Sequence, residues 1–415
     1  MLNLQPVSLF NSLASIIKSI DLYNYILKDH HRRCSIIAYY IGNTYAEKSI
    51  NLSELILAAS LHDIGALNVK ERDQLLKLDV EEPSHHEQLG AKILEGFEPF
   101  DQIRRIILHH HIRYIDVQQG LTKAEDVPFE CYILHLADRI EIMTNGKNDV
   151  ETINKLKLEI NNRFGKVFHP DLQKVFNQII DDRSFWININ NQSYQELVHG
   201  SIKSKTHDLN YVDAENLALI FAKIVDYKSP WTSTHSQSVS AIAYRLGKFV
   251  GLDPDTCFQL RIAGYLHDIG KIATPTEILE KPSKLNGEEF DTIKEHAMYT
   301  SLILKDIEGF DDIATWASSH HEKHDHSGYP LHLSKDHFSL PMEVLAFADI
   351  FTALSEDRPY RPKMSKKDIK KVLSTFVPEK LDINVYEVLL AHFDELYELH
   401  LKIFNSIISS RTDFK

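Results

Sequence analysis

The dominant order along this chain is helical. Val239, Ile242, Ala243, Leu246 and Phe249/Val250 recur at helix spacing, and so do Cys34, Ile37, Ala38 and Ile41. Asn286-Gly287-Glu288-Glu289 has the form of a capping box and predicts a helix running on toward His296. Phe168 to Trp186 reads as a closing helix, with a counterpart from about Asp382 to Phe404. Strand-like alternation is scarce, so the fold class expected is all-α. The stretch from Asn188 to Thr206 is rich in Asn, Gln, Ser and Lys and breaks the periodicity. It predicts a linker over 188–210 between two helical domains, 1–187 and 211–415. A chain of 415 residues is long for one domain and natural for two.

The two halves repeat each other. His30 to Gly42 resembles His235 to Gly247 at an offset of 205, and Leu61-His62-Asp63-Ile64-Gly65 matches Leu266-His267-Asp268-Ile269-Gly270 at the same offset. His86 matches His296, and His110-His111 match His320-His321, at 210. Ala137-Asp138 match Ala348-Asp349 at 211. Ten of the 23 histidines therefore fall on five paired positions, which separates them from ordinary surface histidines. The offset also picks His30 over His31, and His110 and His111 over His109.

The periodicity points these side chains inward. Leu260, Ala263 and Gly264 lead to His267 and Asp268, as Leu55, Ala58 and Ala59 lead to His62 and Asp63. Ile313, Trp316 and Ala317 lead to His320 and His321, and Ile103, Ile106 and Ile107 lead to His110 and His111. Leu345 and Asp349 are one turn apart. Lys271 is expected on the face of His267, one turn on. Imidazoles and carboxylates driven into one core are costly unless paired, and metal binding supplies strong partners. Seven candidate ligands per repeat suit a pair of ions, with Asp268 able to bridge them. Two ions about 3.5–4 Å apart can activate a water and clamp a phosphate for in-line attack.

Composition narrows this. Hydrophobic residues at 43% and charged residues at 25% describe an ordinary globular protein. No run of about 18 apolar residues is present, so no membrane span is expected, and Met1 to Phe10 does not read as a signal peptide. Cys34, Cys131 and Cys257 are far apart and read as reduced thiols of a cytoplasmic protein. A net charge of -13 argues against a DNA or RNA partner while leaving room for a small phosphate ligand. A homodimer is left open.

These residues resemble the HD superfamily of metal-dependent phosphohydrolases. Tyr211 to His400 looks like an HD-GYP domain, the cyclic di-GMP phosphodiesterase branch, so the fold implied is two tandem HD-type helical domains. The likeness runs through Pro230-Trp231-Thr232, His235, His267-Asp268-Ile269-Gly270-Lys271, Lys281 to Leu285, His296, His320-His321-Glu322, Gly328-Tyr329-Pro330, Ala348-Asp349 and Asp357-Arg358-Pro359-Tyr360-Arg361. It implies that His235, His267, Asp268, His296, His320, His321 and Asp349 hold two divalent metals, iron or manganese. It also implies that Lys271 and Asp268 are catalytic. Arg358 and Arg361 would meet ligand phosphates, and Gly328, Tyr329 and Pro330 would shape the site mouth. The substrate implied is a cyclic dinucleotide, opened to a linear dinucleotide and further to mononucleotides.

The departures matter. Asp325-His326 stands where the family usually has Asp-Gly, a change expected to alter the loop and crowd the pocket. Thr352 stands where an aspartate is frequent. Trp231 and Ile26 stand where some members place a glutamate for a third metal, so two are expected. The altered loop keeps 3′,3′-cyclic GMP-AMP open as the substrate in place of cyclic di-GMP, and a signalling module that binds without cleaving is the reading from another class. The first repeat keeps His30, His62, Asp63, His86, His110, His111 and Asp138, a possible second metal site. It has Ala66 for the lysine and no Gly-Tyr-Pro over Ile112 to Val117. It reads as a relic that keeps metal for stability, a regulatory module, or a second enzyme. Glu322 is read either as orienting a histidine or as solvated. Tyr329 is read as packing its loop, and Arg32 and Arg33 as a solvated helix face.

Overall fold

The computed structural model describes residues 7–8, 29–66, 85–191, 208–228, 234–281, 283–357 and 361–411. The chain forms two compact units, Leu9–His207 and Asp208–Lys415, the second including Met1–Ser8. Apart from a two-stranded pairing of β1 (Val7–Ser8) with β2 (Asp208–Leu209) and isolated bridges, the regular structure among the described residues is helical. The expected all-α class holds.

In the first unit the helices are α1 (His30–Thr44), α2 (Leu52–Leu61), α3 (His85–Ile93), α4 (Asp101–Leu108), α5 (Tyr114–Gln118), α6 (Phe129–Thr144), α7 (Val150–Asn161), α8 (Leu172–Ile180) and α9 (Arg183–Asn191). In the second they are α10 (Tyr211–Lys228), α11 (His235–Phe249), α12 (Pro254–Leu266), α13 (Thr276–Leu279), α14 (Gly287–Leu304), α15 (Asp311–Ser318), α16 (Leu340–Ser355), α17 (Lys366–Leu373), α18 (Ile383–Ala391) and α19 (Phe393–Arg411). α1 lies against α2 and α6, and α11 lies against α12 and α16, so the same core is built twice. Val239, Ile242, Ala243 and Leu246 are fully buried, as are Cys34, Ile37, Ala38 and Ile41. Each larger side chain of these stripes contributes about 1.5–3 kcal/mol by leaving water. All three cysteines are free and buried.

Local signals explain the ends. The Asn286 side chain accepts from the Glu289 N–H at 2.8 Å while Glu289 accepts from the Asn286 N–H at 2.8 Å, the reciprocal cap that starts α14. Each expected closing helix is two. α8 and α9 are separated at Asp181-Asp182, where the Asp182 carboxylate accepts from the Ser184 N–H at 2.8 Å and restarts the chain. α9 also runs into the stretch expected as linker, to Asn191.

Candidate metal centre

Five elements of the second unit converge on one buried cluster. α11 begins at His235, and α12 ends at Leu266 and hands over to His267 and Asp268. α14 carries His296, the turn after α15 carries His320 and His321, and α16 carries Asp349. Asp268 divides its two oxygens. Its Oδ2 lies 3.3 Å from His267 Nε2, and its Oδ1 lies 3.4 Å from His296 Nε2 and 3.9 Å from His320 Nε2. Asp349 faces His235 Nε2 at 3.1 Å, His267 Nε2 at 3.9 Å and His321 Nδ1 at 3.9 Å. Two pockets result, one of His235, His267 and Asp268, the other of His296, His320 and His321. All seven residues that the repeat singled out are together.

The imidazoles are aimed by their other nitrogen. Nδ1 of His267 donates to the Gly264 carbonyl at 2.9 Å, that of His296 to Ile293 at 2.6 Å, and that of His320 to Ala317 at 2.6 Å. In each case the acceptor is the carbonyl three positions earlier in the chain. This fixes the tautomer and turns the Nε2 lone pair inward. His267 Nε2, His296 Nε2, His320 Nε2 and Asp268 Oδ1 are buried with no hydrogen-bond partner. Buried polar atoms without partners are uncommon, and these imidazole nitrogens and carboxylate oxygen are the mixture that a first-row divalent metal takes. The residues present therefore fit two ions sharing Asp268. Burial favours the neutral imidazole, pushing His296 down to about 4 and His320 down to about 3. Burial alone would raise the Asp268 carboxyl. His267 and Lys271 outweigh it and hold the group well below the usual carboxylate range.

His235 is aimed by a side chain the sequence reading missed. Its Nδ1 donates to Glu356 at 3.0 Å, and the Thr234 hydroxyl donates to the other oxygen at 3.1 Å. In the first unit Glu141 does this for His30, at 2.5 Å. The repeat places Glu141 opposite Thr352, whose hydroxyl is buried without a partner. The second domain has thus moved its supporting carboxylate one turn along, from 352 to 356. The absence of an acid at Thr352 was the available signal.

Lys271 reaches the site by a different backbone from the one expected. The α-helix stops at His267, and Ile269–Ala273 is a 3₁₀ turn. That turn eclipses residues three apart, so Lys271 Nζ meets Asp268 Oδ2 at 2.5 Å. Gly270 makes the turn possible: a Cβ there would sit 2.0 Å from the His296 carbonyl oxygen, and one on Gly65 would sit 2.1 Å from that of His86. Two further residues, unnoticed in the sequence, hold the turn. The Thr300 hydroxyl donates to the His267 carbonyl at 3.0 Å and accepts from the Gly270 N–H at 3.1 Å. Lys228 Nζ donates to the carbonyls of Lys271, Ile272 and Thr274 at 3.2, 2.8 and 2.6 Å.

The Gly-Tyr-Pro loop is stapled from below. Glu322 is fully buried and accepts from the Leu331 N–H at 2.5 Å and the Leu333 N–H at 2.9 Å. It holds the loop, not a histidine. Gly328 crosses so close that a Cβ would lie 2.4 Å from Glu322 Cα. Tyr329 packs its ring on His321 at 4.7 Å between centroids. His326 keeps the left-handed backbone that a glycine would supply, at φ 63°. Its exposed ring donates to the His332 carbonyl at 2.9 Å, so it turns away from the pocket it was expected to crowd.

Two expectations about arginines change. Arg361 donates to the carbonyls of Ala353 at 2.6 Å and Pro362 at 3.0 Å, closing the end of α16. Arg33 is buried rather than solvated, and it donates to Glu141 at 2.7 Å. Arg358, like Pro230-Trp231-Thr232 and Ile26, lies outside the described residues.

The first unit gathers its own seven residues. His62 Nε2 lies 3.3 Å from Asp63 Oδ2, His86 Nε2 lies 3.4 Å from Asp63 Oδ1, and His30 Nε2 lies 3.5 Å from Asp138 Oδ1. Its pockets are His30, His62 and Asp63, and Asp63, His86, His110 and His111. The Nδ1 groups of His62 and His110 again donate to the carbonyls three residues back, at 2.8 and 2.6 Å.

Residues 27–143 and 220–383 each match the HD domain. The 3'3'-cGAMP-specific phosphodiesterase 1 of Vibrio cholerae is 28% identical over 95% of this chain and 94% of its own length. The 3'3'-cGAMP-specific phosphodiesterase 3 of the same organism is 33% identical over 58% of this chain and 52% of its own. A probable cyclic di-GMP phosphodiesterase from Vibrio cholerae is 35% identical over 41% of this chain and 44% of its own. A crystal structure of a V. cholerae cyclic GMP-AMP specific phosphodiesterase superposes with a TM-score of 0.61 at 24% identity, over 94% of this chain and 98% of that one, a likeness of fold. No described helix is long and apolar enough to cross a membrane.

Proposed function

Because the chain belongs to the HD-domain family and carries two such domains in tandem, we propose that its second domain is a metal-dependent phosphodiesterase that opens a cyclic dinucleotide. One observation carries the reading: the two oxygens of Asp268 face two separate histidine pockets while Lys271 rests on the same carboxylate. His235, His267, Asp268 and Asp349 would hold one ion, and Asp268, His296, His320 and His321 the other. Iron or manganese suits this mixture of imidazole and carboxylate. Such a pair supplies water activation and neutralises charge on phosphorus.

The chain's own residues do the rest. Asp268 fixes the spacing of the two pockets, and Glu356 keeps His235 turned inward. Ions in the pockets would compete with Lys271 for Asp268, and its side chain, 17% exposed and on a flexible stem, is free to turn toward the substrate. Its ammonium then faces the oxygen that leaves as the P–O3′ bond breaks and water adds to phosphorus. The product is a linear dinucleotide with a 5′-phosphate end, open to a second cut. Tyr329 and the stapled loop wall the mouth of the site. A net charge of -13 favours a small ligand over a nucleic-acid polymer.

The substrate favoured is 3′,3′-cyclic GMP-AMP over cyclic di-GMP. Similarity to a phosphodiesterase of that specificity extends along both domains, and His326 with His332 departs from the usual loop at the mouth. Side-by-side turnover of the two cyclic dinucleotides by manganese- or iron-loaded protein tests this. A higher kcat/KM for cyclic GMP-AMP supports it, and preference for cyclic di-GMP reverses the order. Release of no linear product from either refutes the phosphodiesterase reading itself.

A further inference from the structure

The two metal centres differ in their buried charges, most directly at Arg139. Arg139 follows Asp138, is 1% exposed, and donates from Nη2 at 2.6 Å and Nε at 3.1 Å to Asp138 Oδ2. The residue at this place in the second domain is Ile350, and Asp349 there faces imidazoles. Each centre thus has a cation on a carboxylate, but on opposite ones. Lys271 sits at the rim and can swing aside for an ion. The guanidinium of Arg139 is sealed in, and arginine does not give up its proton. The charge of Asp138 is therefore already committed before any metal arrives.

The unpaired atoms agree. In the second domain they occur in both pockets, His267 Nε2 in one and His296 Nε2 and His320 Nε2 in the other. In the first domain both pockets pair two ring nitrogens, so the pairing by itself does not tell them apart. His30 Nε2 lies 3.2 Å from His62 Nε2 and His86 Nε2 lies 3.2 Å from His110 Nε2, but in the His30 pocket alone the further carboxylate, Asp138, is held by an arginine, Arg139. The other pocket keeps Asp63 Oδ1 and both ring nitrogens of His111 buried without hydrogen-bond partners.

We propose that the first domain takes a single divalent ion, at Asp63, His86, His110 and His111, with Arg139 as the fixed positive charge in place of a second ion. A lone ion cannot clamp a phosphate between two metals, and Ala66 leaves this domain without the lysine of the second. The first domain then serves as a one-metal binding unit. Only the total metal count rests on the two-ion reading of the second domain.

The test separates the two. Full-length protein carrying His235→Ala, His267→Ala, Asp268→Asn, His296→Ala and His320→Ala, loaded anaerobically with manganese and desalted, reports the first domain alone. The expected result is one ion per chain, unchanged by adding His62→Ala and abolished by adding His86→Ala. Two ions per chain, none, or loss of the ion with His62→Ala overturns the proposal. Electron paramagnetic resonance of manganese-loaded wild type guards against misfolding of that variant. An isolated-ion hyperfine signal, abolished by His86→Ala, is expected beside the coupled pair. Spin-coupled pairs alone overturn the proposal.

Discussion

Glu356 is the sharpest place to perturb the second site without touching a metal ligand. Its carboxylate is 3% exposed and holds His235 Nδ1 at 3.0 Å and the Thr234 hydroxyl at 3.1 Å. Glu356→Gln keeps the shape and one acceptor oxygen but removes the charge that strengthens the imidazole as a ligand. Glu356→Ala leaves both donors without their acceptor and frees the ring to rotate. Loss of such a supporting group typically weakens metal binding about 10–100-fold, or about 1.4–2.8 kcal/mol. The glutamine variant belongs at the lower end and the alanine variant at the upper. The assay is the manganese concentration giving half-maximal turnover of the cyclic dinucleotide by metal-stripped protein. It should rise about 10-fold and about 100-fold respectively, with turnover largely restored at saturating metal. Adding Thr352→Glu to Glu356→Ala puts a carboxylate where Glu141 stands in the first domain, and should recover part of the loss. Half-saturation unchanged in Glu356→Ala would refute the role assigned to this residue.

Three further outcomes follow from the same geometry. Lys271→Met removes the ammonium in contact with Asp268 and should lower kcat by roughly 10²–10³-fold while metal content stays at the wild-type level; loss of metal instead would make the lysine structural. Gly328→Ala places a Cβ 2.4 Å from Glu322 Cα, so the loop must shift and lose its staple. About 1–3 kcal/mol of stability should disappear in a denaturant titration of the metal-loaded protein, and an unchanged midpoint would contradict the close crossing. Lys228→Met removes the donor shared by three carbonyls of the turn that carries Lys271. It should reduce kcat with little change in KM, whereas a rise in KM alone would show that the turn is held without it.

The metal ligands were legible because the chain states them twice. Neither His235 nor Asp349 stands out alone, but each has a twin in the first half, at offsets of 205 and 211, and the helix period turns both inward. What the sequence hid is mostly backbone detail and long-range pairing. A helix period carried past His267 places Lys271 on the next α-turn, yet the close crossing at Gly270 forces a tighter one. Glu322 lies beside two ligands in sequence, yet its partners are backbone N–H groups nine and eleven residues on. Arg361 has the chemistry of a phosphate binder, and its guanidinium closes a helix end. Arg33 and Arg139 look like surface charges by residue type, and only the fold shows that each is buried against a carboxylate. The missing acid at Thr352 was visible, but the replacement one turn later becomes meaningful only once α16 is seen to end there.

The central claim is that two ions sharing Asp268 make the second domain a cyclic-dinucleotide phosphodiesterase. The most direct measurement follows linear dinucleotide from full-length protein, metal-stripped and then reloaded with manganese or iron without oxygen, beside Asp268→Asn. The expected result is no product when stripped, product on reloading, and none from Asp268→Asn under any loading. Turnover by stripped protein or by Asp268→Asn, or no turnover by reloaded wild type on either cyclic dinucleotide, would contradict it.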